Sequence, residues 1–160
     1  MGAPAAFSVM TSADAGGGTV RKLDVLLDQY GETHQNPVNK AIHWVCVPLI
    51  MWSALAAAWV VSPIATSIFV ALAVVYYARM SIPMAVGMLA LAALMIAPVP
   101  MLGPNVLWIA AAVFVLAWIG QFVGHAIEGR KPKFLQDLQF LLIGPAWLLG
   151  FVYRAAGIRY

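Results

Sequence analysis

From Ala41 to Ile127 the chain carries one charged side chain, Arg79. Soluble domains devote about a quarter of their residues to charge. A stretch this poor in charge cannot present a water-facing surface, so it folds against lipid. The 63% hydrophobic content and mean hydropathy of +0.89 agree. The expected fold is all-α: a polytopic integral membrane bundle of four to five spans. Residues 21–160 read as one membrane-embedded catalytic domain. Residues 1–20, Gly- and Ala-rich, read as a flexible N-terminal tail.

Proline, glycine and charge divide the apolar sequence. Leu23, Leu26, Leu27 and Tyr30 share one face of a short amphipathic helix, expected to lie at the membrane interface. Asn36-Pro37 has the signature of a helix start, with Asn as the cap and Pro at the first position. The first span is expected over about 43–61. Three more follow over about 64–77, 84–97 and 106–127. A final apolar stretch, 134–153, crosses or re-enters. Its path is not decided by sequence.

The nine basic residues and net charge of +3 read as topology signals and headgroup contacts, not as a nucleic-acid surface. Arg21, Lys22 and Lys40 precede the first span, Arg79 follows the second, and Arg130, Lys131 and Lys133 follow the fourth. The other turns carry none. This alternation places that face on the cytoplasmic side of the membrane. Homo-oligomerisation is left open. The single cysteine, Cys46, forms no internal disulfide.

All three histidines, His34, His43 and His125, fall at that same predicted depth. Imidazole is costly near lipid unless it is paired, hydrated or bound to metal. Three converging imidazoles are a metal-ligand set, and imidazole suits Fe, Zn, Cu and Ni alike. Glu128 lies three residues after His125, on the same helix face. It is either a fourth ligand or an acceptor that fixes the His125 tautomer. Gln121, one turn before His125, is a packing or pocket group. Gly124 lets a neighbouring helix approach. The absence of HExxH argues against a zincin-type protease. Three histidines are too few for a histidine-rich di-iron desaturase. Two further readings stand beside an enzyme: a non-catalytic membrane binding or scaffold protein, and a haem-binding electron carrier. A zinc-dependent lipid hydrolase is a more distant alternative.

Two blocks carry a family resemblance. One is His34-Gln35-Asn36-Pro37 through His43 to Pro48. The other is Gln121-Phe122-Val123-Gly124-His125 through Glu128, Arg130-Lys131 and Pro132. In this order they resemble the 2-hydroxy fatty acid dioxygenase family of yeast phytosphingosine α-oxidation and its bacterial relatives. In the yeast pattern the Glu lies four residues after the last His, whereas Glu128 lies three after His125. The resemblance implies Fe(II)-dependent cleavage of a 2-hydroxy fatty acid with O2 to an acid one carbon shorter. It implies that His34, His43 and His125 hold the iron, with Glu128 in support. Lys40, Gln121, Arg130 and Lys131 are then candidates for binding the substrate head, with the acyl tail among the apolar spans, membrane lipids as further partners and the bacterial inner membrane as the expected location.

Overall fold

The structure, a computed structural model, describes residues 21–160. The tail expected over residues 1–20 lies outside the described residues. Six α-helices follow in order: α1 Lys22–Gly31, α2 Pro37–Val61, α3 Pro63–Ala78, α4 Ile82–Ile96, α5 Val106–Glu128 and α6 Phe140–Ala155. Short 3-10 turns cover Val99–Met101 and Lys133–Leu135, and there is no strand among the described residues. The all-α expectation is met.

Polar caps set where the helices begin. The Asn36 side chain accepts a hydrogen bond from the Val38 N–H at 2.8 Å, and Pro37 occupies the first position of α2. Ser62 and Ser81 do the same for α3 and α4, each with a proline in the first turn. Each cap satisfies a backbone donor that apolar surroundings would leave stranded. At the other end, Gly129 closes α5 in a left-handed conformation, φ 71°, which glycine adopts at no steric cost.

Three segments are long and apolar enough to cross a membrane: Pro37–Val61, Ile82–Met101 and Val106–Glu128. The helices α3 and α6 are apolar but shorter, 16 residues each. That is roughly 24 Å of rise against a hydrocarbon layer of about 30 Å. The last helix also begins later than the apolar stretch suggests. Pro132 leads into a 3-10 turn, and the Asp137 carboxylate accepts the Gln139 N–H at 2.9 Å, so helix starts only at Phe140.

The antiparallel pair α2 and α5 forms the spine. A Cβ on Gly124 would meet Asn39 Oδ1 at 2.4 Å, and one on Gly120 would meet Cys46 Sγ at 2.6 Å. The two glycines, four residues apart on one face, allow the backbones to close together. Along this seam His43 and His125 come level. The short helix α1 departs from expectation. Its apolar face, Leu23, Leu26, Leu27 and Tyr30, is buried in the main core with Ile143, Ala146 and Trp147 of α6, rather than resting on lipid. Packing on α6 removes this face from water, and it fixes the chain that leads into His34.

Candidate metal centre

His34 lies in the turn between α1 and α2, His43 on the second turn of α2, and His125 near the end of α5. All three are buried. One ring nitrogen from each lies within 4.8 Å of the others. The ring centroids are 4.2 Å apart for His34 and His43, and 5.0 Å from each of these to His125.

Backbone carbonyls fix two of the tautomers. His34 Nδ1 lies 2.6 Å from the Tyr30 carbonyl oxygen, and His43 Nδ1 lies 2.9 Å from that of Asn39. A carbonyl only accepts, so each Nδ1 carries the hydrogen and donates. Each Nε2 is then left with a lone pair. The two Nε2 atoms face each other at 2.9 Å. Two neutral acceptors at that distance repel unless a cation sits between them. A proton would leave a charged imidazole in a buried site. Burial and the neighbouring His43 push His34 down to about 3, so it is neutral at physiological pH. A metal ion would satisfy both lone pairs. Nitrogens about 2.0–2.1 Å from one ion and at right angles to each other are about 3 Å apart. His125 adds a buried Nδ1 with no hydrogen-bond partner. The donor set fits a first-row metal.

The histidines are held by a second layer. Tyr30 stacks on His34 at 4.2 Å with ring planes 13° apart. The Glu128 carboxylate is occupied elsewhere. It accepts the Gln35 N–H at 2.8 Å, the Asn36 N–H at 2.9 Å and the Asn39 side-chain amide at 3.1 Å. It stands outside the three-histidine group and closes the His34–Pro37 turn onto the end of α5. Asn39, fully buried, also donates to the Thr33 carbonyl at 3.3 Å. Asn39 and Tyr30 are parts of the site that the sequence reading missed. The available signal was spacing: each sits four residues before a histidine, where its carbonyl meets the imidazole.

His125 also borders an apolar cavity of about 500 Å³. Its lining runs from Gln121 and His125 past Val47, Met51 and Trp118 to Ala58, Phe114 and Ala92. Between Val47 and Ala58 the helix rises about 16 Å. A straight alkyl chain with C–C bonds of about 1.5 Å advances roughly 1.3 Å per carbon, so about a dozen carbons fit that length. Of the residues proposed for the substrate head, Gln121 lines the cavity. Lys40, Arg130 and Lys131 do not. The Arg130 guanidinium donates to the Glu32 carbonyl at 2.9 Å, and Lys131 is exposed. The basic residue that lines the cavity is Lys133, which the sequence places among the topology signals and headgroup contacts.

One family profile matches residues 20–156, described as Mpo1-like, 2-hydroxy-palmitic acid dioxygenase. The chain belongs to the Mpo1-like family. The match spans all six helices and includes His34, His43, His125 and Glu128. The family name makes a dioxygenase of lipid metabolism the activity to test against the geometry. No curated protein and no solved structure matches the chain significantly.

Proposed function

We propose that this protein is a non-haem Fe(II) dioxygenase that shortens 2-hydroxy fatty acids by one carbon. The observation that carries the reading is the convergence of three buried imidazoles, two with their lone pairs forced together, at the end of an acyl-sized apolar cavity. The reaction balances without a second cofactor. R–CH(OH)–COOH and O2 give R–COOH, CO2 and H2O, with the bond between Cα and the carboxyl carbon broken.

Bound by His34, His43 and His125, Fe(II) supplies the redox chemistry that ground-state O2 needs. The protein does the rest by position. The cavity takes the acyl chain and excludes water from the reacting end. The Tyr30 and Asn39 carbonyls keep both Nε2 lone pairs directed inward. Glu128, hydrogen-bonded to the turn, holds His34 against His43. The distribution of basic residues supports a site on the cytoplasmic side of the membrane. The 2.9 Å between Nε2 atoms leaves no room for a haem iron held between His34 and His43.

The test is product analysis. Protein purified without oxygen and supplied with Fe(II) is given 2-hydroxypalmitate and then O2. The reading expects pentadecanoic acid and CO2 in equal amounts. Turnover without O2 would replace it with a hydrolytic reading.

A further inference from the structure

The cavity is apolar except at one end, and two N–H groups there lack acceptors. Gln121 Nε2 and Trp118 Nε1 are buried donors with no hydrogen-bond acceptor in the protein. Both side chains line the cavity, and Gln121 is 5% exposed. Trp118, Gln121 and His125 succeed one another by single turns of α5, so they share a face. A buried N–H without an acceptor is unfavourable, and two beside one cavity mark a place where a ligand supplies the acceptor.

Lys133 reaches the same end from the turn after α5. It is the one Lys or Arg among the described residues that lines the cavity. Its side chain is 16% exposed and is steadied by Glu32 at 3.2 Å, whose own side chain is 61% exposed. Phe134, the next residue, packs its ring against Trp118 at 4.9 Å, which anchors this turn beside the unpartnered donors. A cation and two N–H donors next to a histidine cluster match an anionic oxygen acceptor. An anion can draw Lys133 away from the exposed Glu32 carboxylate, whereas a neutral ester or amide supplies acceptors only for the two N–H groups.

We propose that Lys133, Gln121 and Trp118 form a carboxylate subsite that selects free 2-hydroxy acids over their esters and amides. The assignment of substrate rests on the dioxygenase reading above; the preference for an anion rests on the cavity alone. The test is equilibrium binding of 2-hydroxypalmitate and of its methyl ester to the purified protein, without oxygen. Wild type binds the acid more tightly. Lys133→Met weakens the acid by about tenfold or more, the scale of a charge-assisted hydrogen bond. Ester binding stays within about twofold, which shows that the cavity is intact. Lys133→Arg recovers most of the affinity for the acid. Equal affinities in wild type, or a parallel change in acid and ester on Lys133→Met, would overturn the subsite. Oxygen is then admitted to the wild-type complex with the acid. If acid selectivity depends on Lys133 yet no shortened acid forms, the subsite stands and the dioxygenase reading falls.

Discussion

Nε2 of His34 lies 2.9 Å from Nε2 of His43, and each ring is turned into that position by a carbonyl one helical turn earlier. Neither nitrogen has a proton to offer the other. A metal ion held by both nitrogens would relieve their repulsion.

Removing an imidazole is therefore expected to remove the ion. His34→Ala, His43→Ala and His125→Ala are each expected to lose bound metal and at least about 100-fold in activity, since outer-layer changes alone cost 10–100-fold. The proteins should still elute as folded species in detergent, because the α2–α5 seam does not depend on the rings. Full activity in His43→Ala would remove it from the ligand set.

Glu128 is expected to behave differently. Its oxygens receive three hydrogen bonds from the His34–Asn39 segment. Glu128→Gln should keep stoichiometric metal while lowering its affinity about 10–100-fold. Thermal stability should fall by about 1–3 kcal/mol as one or more charge-assisted bonds are lost. Metal titration decides the point: complete loss of the ion, as in His125→Ala, would make Glu128 a ligand.

Stability should also depend on pH. His34 titrates near 6.5 in the unfolded chain and near 3 in the folded one. Between those values the unfolded state binds more protons, so stability rises with pH. The metal-free protein should thus have constant stability above about pH 6.5 and lose it steadily toward pH 3. Thermal unfolding in detergent across this range checks the sign. A melting temperature that rises on acidification would contradict it.

The far end of the cavity should set chain length. Ala58 and Ala92 line it, and bulk there excludes the last methylenes, each worth about 0.8 kcal/mol of burial. Ala58→Trp is expected to shift preference toward shorter 2-hydroxy acids without changing metal content. Competition between acids of different length reads the shift directly. An unchanged preference would place the acyl chain elsewhere.

Glycine contacts give a prediction for the seam itself. Gly124→Ala places a methyl group 2.4 Å from Asn39 Oδ1. The overlap is expected to cost about 1–3 kcal/mol and to displace the Asn39 segment that carries His43. Thermal unfolding and metal affinity should fall together. Unchanged behaviour in both would mean the helices are not packed this closely.

Much of the fold could be read from the sequence, because α2, α3 and α4 announce their own starts. Asn36-Pro37, Ser62-Pro63 and Ser81 cap α2, α3 and α4 through bonds within three residues. The histidines were legible for a different reason: polarity is conspicuous in an apolar stretch. What stayed hidden depends on contacts distant in sequence. Burial of Leu23 and Leu27 requires α6, more than a hundred residues later. Glu128 was read as a group serving His125, its neighbour on the helix, yet it bonds to Gln35 and Asn36 across the seam. Lys133 reads from sequence as a topology or headgroup charge, and only the turn after α5 brings it to the cavity lining.

The most direct measurement is metal content. Protein purified without oxygen in the presence of Fe(II) should carry about one iron per chain, and His34→Ala protein prepared alongside should carry essentially none. Stoichiometric zinc that Fe(II) does not displace, or iron that His34→Ala retains, would contradict a three-histidine iron site.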